Sequence, residues 1–277
     1  MNENIYTLDK ETILIFQELC QEDLRDWREE GNVAFGVISD GEPAALLMAS
    51  VNEYNVWVDW IYVKPDYRNQ GIAARLLDVL EDGLSWVTKD NEICVAVDDE
   101  ELKRYFAVDR SMYFSEEPES YRFYESIMNL MELPDAEGCQ YIKKLQDLSS
   151  AELKGMGNSI VSTPDISIPI EFPINPADYL PESVVYLKDG SCMAALLLKK
   201  DAMGVSISYA YLSGKDAKTL LMCISRAQRL LVEEYGGDLM ISVTTLNKQS
   251  ERLAEKLFPG AKKVPVWTGR KLLPLMI

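Results

Sequence analysis

Residues Val56 to Leu84 constrain the fold more than any other stretch of the chain. Val56-Trp57-Val58-Asp59-Trp60-Ile61-Tyr62-Val63 is rich in β-branched and aromatic residues with almost no polar alternation, the pattern of a strand buried on both faces. Lys64-Pro65-Asp66 ends it, because proline cannot donate to a sheet ladder and pushes Lys64 away from helical backbone. A helix follows, since Ile72, Leu76, Leu80 and Leu84 recur every four residues on one face while Arg75, Asp78, Glu81 and Asp82 fall elsewhere. The link between them, Arg68-Asn69-Gln70-Gly71-Ile72-Ala73-Ala74, is polar and then small.

That link carries the chemical signal. The first turn of a helix has N–H groups without internal partners and a partial positive charge, so it can hold an anion where nothing bulky blocks the approach. Gly71, Ala73 and Ala74 leave the approach open. The pattern is neither a P-loop, which needs Gly-Lys-Ser/Thr after a longer loop, nor the three-glycine dinucleotide fingerprint. Arg68-x-x-Gly71-x-Ala73, in the setting Ile61-Tyr62-Val63-x-Pro65-x-Tyr67-Arg68-x-Gln70-Gly71-Ile72-Ala73, resembles the acetyl-CoA pyrophosphate motif of the GNAT superfamily of N-acetyltransferases over about a dozen residues.

Composition narrows the alternatives. A chain of 277 residues, 47% hydrophobic and 26% charged, is ample for two globular cores. It has no apolar run of membrane-spanning length, and Met1-Asn2-Glu3-Asn4 lacks the features of a signal peptide, so the expected location is cytoplasmic, with no membrane partner. The five scattered cysteines read as reduced core residues, and no metal site is expected. The absence of histidine removes Ser-His-Asp and Cys-His triads and most zinc hydrolase sites. A net charge of −17 argues against nucleic acid as a partner. Residues 1–140 hold the acidic excess, which could attract a cationic amine or simply confer solubility.

Along the chain, residues 8–30 read as a first helix, with Ile13, Phe16, Cys20, Leu24 and Trp27 on one face. Val33 to Ser39 and Ala44 to Val51 pair through Asp40-Gly41, a strong hairpin signal. Ile93 to Val97 is the next buried strand, and Asp98-Asp99-Glu100-Glu101 opens an acidic helix start. Met112 to Phe114 and Tyr121 to Tyr124 are expected to complete the first sheet, and Pro134 to Lys144 to be a connector. The second half then repeats the first. Asp189-Gly190 parallels Asp40-Gly41, Ala194-Ala195-Leu196-Leu197 reproduces Ala44-Ala45-Leu46-Leu47, and Tyr211 follows Tyr62 at nearly the same offset. Strand Val205 to Leu212, helix Ala217 to Glu234, strand Leu239 to Thr244, helix Gln249 to Phe258 and strand Val264 to Thr268 complete the repeat. The expected fold is α/β, an α+β mixed sheet, in two GNAT-like domains: 1–145 with the cradle, and 146–277 degenerate. In the latter, Ser213-Gly214-Lys215-Asp216 lacks the arginine and the glycine spacing.

The resemblance implies that backbone groups of Ile61, Tyr62 and Val63 hold the acetyl and pantetheine parts of acetyl-CoA. Arg68, Asn69, Gln70, Gly71, Ile72, Ala73 and Ala74 would then hold its pyrophosphate. It implies direct attack of an amine on the thioester, which needs a base and an acid. Asp59 is the candidate base or amine-binding group, being the one carboxylate between Val56 and Val63, where burial would raise its pKa. Tyr105 is the candidate acid, with Tyr113 a rival. The segment Val108-Asp109-Arg110-Ser111-Met112-Tyr113 departs from the family's usual Leu-Gly-Phe turn. The expected function is acetyl-CoA-dependent N-acetylation of a small-molecule primary amine or amino acid. A non-catalytic acyl-CoA-binding or regulatory protein is the alternative, and a protein lysine or N-terminal acetyltransferase a third. The oligomeric state is not legible in the sequence.

Overall fold

The computed structural model describes residues 4–20, 23–27, 30–52, 55–84, 92–131, 133–134, 136, 139–162, 172–201, 204–214 and 216–273. In chain order the strands are β1 (Asn4–Thr7), β2 (Asn32–Ser39), β3 (Glu42–Val51), β4 (Asn55–Val63), β5 (Glu92–Val97), β6 (Ser120–Ser126), β7 (Ile142–Lys144), β8 (Val184–Lys188), β9 (Ser191–Asp201), β10 (Gly204–Leu212), β11 (Met240–Thr244) and β12 (Lys262–Leu272). The α-helices are α1 (Ile72–Leu84), α2 (Glu100–Val108), α3 (Ser150–Val161), α4 (Ala217–Tyr235) and α5 (Lys248–Leu257). No helix of the described residues is long and apolar enough to cross a membrane.

The chain forms two compact units: Met1–Glu119 with Pro265–Ile277, and Ser120–Val264. This differs from the contiguous division at 145/146. The reason is hydrogen bonding: β12 runs antiparallel to β5 from Trp267↔Val97 to Leu272↔Glu92, so the C-terminal strand completes the N-terminal unit. In the other unit β6 runs antiparallel to β11, from Met240↔Ser126 to Thr244↔Arg122. The segment Tyr121 to Tyr124, expected in the first sheet, therefore lies in the second. Of Met112 to Phe114, only Tyr113 makes a single bridge, to Arg270.

In the N-terminal unit the strand order is β1-β2-β3-β4-β5-β12, mixed, with β4 parallel to β5. The β2–β3 turn has Asp40 at φ 53° and Gly41 at φ 87°, the double positive-φ geometry that Asp-Gly supplies at low cost. Ile72, Leu76, Leu77 and Leu80 of α1 pack on one sheet face with Phe35, Ala45, Leu47, Val56, Val95, Phe106 and Trp267; the side chain of Leu84 lies outside the described residues. The other face is covered by Ile13, Phe16, Leu19, Cys20 and Leu24 against Ala34, Leu46 and Met48. The covering segment is not one α-helix. It is a 3₁₀ turn at Thr12–Leu19 and another at Leu24–Asp26, so the buried residues Ile13, Phe16 and Leu19 recur every three positions. Phe16 sits so close over β2 that a Cβ on Gly36 would lie 2.3 Å from its ring.

The second unit has the order β6-β11-β10-β9-β8-β7, with β10 parallel to β11 and a hairpin at Asp189 (φ 51°) and Gly190 (φ 77°). Leu220, Cys223, Ile224, Ala227 and Leu231 of α4 cover one face, and Met156 and Ile160 of α3 the other. α3 and β7 were not expected from the sequence. A capping box holds the start of α3: the Ser149 hydroxyl accepts from the Glu152 N–H, and Glu152 accepts from the Ser149 N–H.

Candidate functional site

β4 is where the N-terminal sheet opens. Its pairing with β3 shifts register between Met48↔Trp60 and Ala49↔Val58, which leaves Asp59 as the extra residue of a β-bulge. The bulge reverses the alternation of side chains. Val56 and Val58 face the α1 side, and so do Ile61 and Val63, whereas Trp60 and Tyr62 pack on the opposite face. Parallel pairing with β5 stops at Val58↔Val95, just before the bulge. From Asp59 to Val63 the outer edge of β4 therefore pairs with no strand among the described residues. The Lys64 N–H donates to the Ala44 carbonyl at 2.9 Å, and antiparallel alternation then directs the backbone groups of Ile61 and Val63 to that open edge. The sequence suggested a strand buried on both faces. Only Val56 is fully buried, because the far half has lost its neighbour on one side.

The turn after β4 is braced by its own side chains. The Arg68 Nε donates to the Val63 carbonyl at 3.0 Å, and the guanidinium lies 5.6 Å from the Tyr62 ring centroid. The Gln70 amide donates to the Asp66 carbonyl at 3.2 Å. Asn69 (φ 62°) and Gly71 (φ 74°) take left-handed backbone and swing the chain into α1. The first helical bond runs from the Arg75 N–H to the Gly71 carbonyl at 3.1 Å, so the N–H groups of Ile72, Ala73 and Ala74 precede it. Asn69, Gln70 and Gly71 are exposed, and a Cβ on Gly71 would meet nothing within 4 Å. The first turn carries no acidic residue. The result is an open helix start, with no side-chain cap among the described residues, flanked by Arg68 and Arg75.

Asp59 lies on the β4 face away from α1, and its Oδ2 accepts a hydrogen bond from the Ser50 hydroxyl. Part of the carboxyl reaches solvent, yet neighbouring atoms strip enough hydration to hold its pKa above the ordinary carboxylate value, against the Ser50 hydrogen bond, which favours the charged form. Sequence reasoning identified Asp59 as the lone carboxylate of an apolar strand. It found neither the bulge nor Ser50, whose only sequence signal is its place near the end of β3.

α2 follows β5, capped by Asp99, whose carboxylate accepts from the N–H groups of Glu101 and Leu102, both at 2.9 Å. Tyr105 is half-buried against the α1-side core with its ring edge-on to Phe106. Its hydroxyl has no hydrogen-bond partner among the described residues, and burial pushes its pKa up, partly opposed by Arg110. Tyr113, the rival, is 75% exposed, whereas Tyr105 is half-buried.

The second unit repeats the bulge but not the side chains around it. β10 shifts register between Ile207 and Tyr209, so Ser208 is the extra residue, at the same separation from Asp59 as Tyr211 from Tyr62. Its parallel pairing with β11 stops at Ile207↔Val243. A hydroxyl thus stands where the first unit has a carboxylate. The helix start is closed by Asp216, whose carboxylate accepts from the Lys218 N–H at 3.1 Å. Lys215 lies outside the described residues.

Two mixed sheets, each with a bulged strand that parts from its parallel neighbour and leads into a helix, define a tandem GNAT fold. Residues 2–107 match the model of the acetyltransferase (GNAT) family. No curated protein matches the chain by sequence. Among solved structures, a tandem GNAT protein from the clavulanic acid biosynthesis pathway is similar at a TM-score of 0.67 and 11% identity, the match covering 96% of this chain and 98% of that one. A GCN5-related N-acetyltransferase from Sphaerobacter thermophilus matches at 0.60 and 14%, covering 98% and 96%. A putative acetyltransferase from Pyrococcus horikoshii matches at 0.61 and 11%, covering 98% and 89%. At these identities the likeness is one of fold.

Proposed function

We propose that the N-terminal unit binds acetyl-CoA and transfers its acetyl group to a primary amine of a small molecule or amino acid. The observation that carries this reading is the join of an unpaired β4 edge to a glycine-opened helix start within one continuous segment. That join suits a ligand with an amide-bearing arm at one end and a diphosphate at the other. The N–H groups of Ile72, Ala73 and Ala74, with Gln70 and Gly71, would hold the diphosphate, and Arg68 and Arg75 would add charge. The backbone of Ile61 and Val63 would pair with the arm, as a partner strand would. Acetyl-CoA supplies an activated thioester, which a free amine can attack without a covalent enzyme intermediate.

The chain's own residues manage the protons. Asp59 takes one from the incoming ammonium, since its raised pKa makes it a better base than an ordinary surface carboxylate. Tyr105 gives its hydroxyl proton to the departing sulfur, a role for which a partner-free hydroxyl is available. Ser50 tunes the base. Ser50→Ala removes a hydrogen bond that favours the charged carboxylate, so the Asp59 pKa rises further. The acidic limb of the pH–rate profile is expected to move to higher pH, while acetyl-CoA affinity stays unchanged.

The test is calorimetry with acetyl-CoA followed by thiol release across a panel of amines. Binding with amine-dependent thiol release is the expected result. Binding with no turnover on any amine would leave a non-catalytic acyl-CoA-binding protein. Absence of binding would remove the reading altogether.

A further inference from the structure

Behind α2 lies a charge cluster that the mechanism above does not use. Arg110, two residues past the end of α2, is only 9% exposed. Its Nη1 pairs with Asp78 at 2.7 Å and its Nη2 with Glu81 at 2.5 Å, both on α1. Lys271 of β12 holds Glu81 from the other side, at 2.7 Å. The Arg110 Nε is buried without a partner among the described residues, so the guanidinium has given up hydration that these contacts do not fully return. The backbone between Tyr105 and Arg110 is itself fixed, since the Asp109 N–H donates to the Tyr105 carbonyl at 2.8 Å and the Met112 N–H to that of Phe106 at 3.0 Å.

We infer that Arg110 is a positioning residue for the acid of the proposed transfer: clamped by the Asp78–Glu81 pair of α1, it pins the end of α2 and keeps a buried cation within electrostatic reach of Tyr105. This rests on the acetyl-transfer reading of the same unit. The charged groups acting on the Tyr105 hydroxyl are Arg110 and Asp109 from its own segment and Asp78 and Glu81 from α1, with Lys271 reaching the cluster through Glu81. Burial disfavours tyrosinate, Arg110 favours it, and the three carboxylates oppose Arg110. A bare carboxylate pair on α1 would make Tyr105 a reluctant proton donor. With Arg110 clamped between them, part of that opposition is cancelled, while burial still holds the hydroxyl above the ordinary tyrosine value.

The experiment is a titration of Tyr105 by NMR of carbon-labelled tyrosine, its signal assigned by its loss in Tyr105→Phe. Arg110→Met is expected to raise the Tyr105 midpoint by about one pH unit, and Arg110→Lys, which keeps the charge, to restore most of the shift. Arg110→Gln, which keeps a hydrogen-bonding side chain between Asp78 and Glu81 without the charge, is expected to raise the midpoint similarly, which keeps the proposal testable if Arg110→Met does not fold. A structural brace alone would lower the melting temperature of Arg110→Met with no movement of Tyr105. Midpoints unmoved in the folded variants would overturn the inference. The titration is read without substrate, so its failure is distinct from a failure to bind acetyl-CoA.

Discussion

Asp59→Asn is expected to cut kcat by about 10²- to 10⁴-fold, the usual loss when a general base is removed, with acetyl-CoA affinity within about twofold of wild type. The two effects separate because Asp59 lies on the sheet face away from α1, whereas the cradle is at the start of that helix. Stability supplies the control. The folded pKa of Asp59 is raised above its unfolded value, so the native state binds the proton more tightly than the unfolded chain does. The ionised carboxylate therefore costs stability above the folded pKa, and that cost disappears as pH falls below the unfolded value. Asparagine keeps an oxygen that can accept from Ser50 and carries no charge, so the variant should melt at or above the wild-type temperature at neutral pH. Turnover lost with a melting temperature maintained identifies a chemical role. Turnover kept would pass the base to another group or to water.

What the sequence made legible, and what it did not, follows from how local each feature is. The strand–turn–helix of Val56 to Leu84 was readable because Pro65, the glycine at 71 and the four-residue apolar repeat act over a few residues. Both Asp-Gly hairpins were readable for the same reason, and their positive φ values match the residues chosen for them. α3 was hidden because Gly155, Gly157 and Asn158 weaken its propensity. Gly155 lies where the helix backbone nears the β8–β9 hairpin, and a Cβ there would sit tightly, 3.2 Å from the Gly190 carbonyl. The exchange of β6 and β12 was hidden too, because an apolar strand does not encode which sheet will accept it. Within the site, the carboxylate at 59 was visible but the bulge was not. One extra residue in a run of valine and tryptophan leaves no compositional trace, and it shows only as Val58 and Ile61 sharing a face. Arg110 was also missed as a functional residue, since its partners on α1 lie about thirty positions upstream in the chain.

Gly71→Asp should weaken acetyl-CoA binding by about 10²-fold without unfolding the protein. The position has open space around its missing Cβ and a φ of 74°. Aspartate tolerates that backbone better than most residues, and a carboxylate ahead of a helix stabilises the exposed N–H groups. The same carboxylate would sit where a diphosphate is proposed to bind. Two like charges about 5 Å apart repel by ~3 kcal/mol at an effective dielectric of about 20, and exposure to solvent reduces this somewhat. The second unit contains a natural version of the change, with Asp216 capping the start of α4. Gly71→Asn matches the shape without the charge and should lose much less affinity. If calorimetry gave equal losses for the two variants, crowding rather than anion repulsion would be responsible. If neither lost affinity, the diphosphate would have to bind elsewhere than at the start of α1.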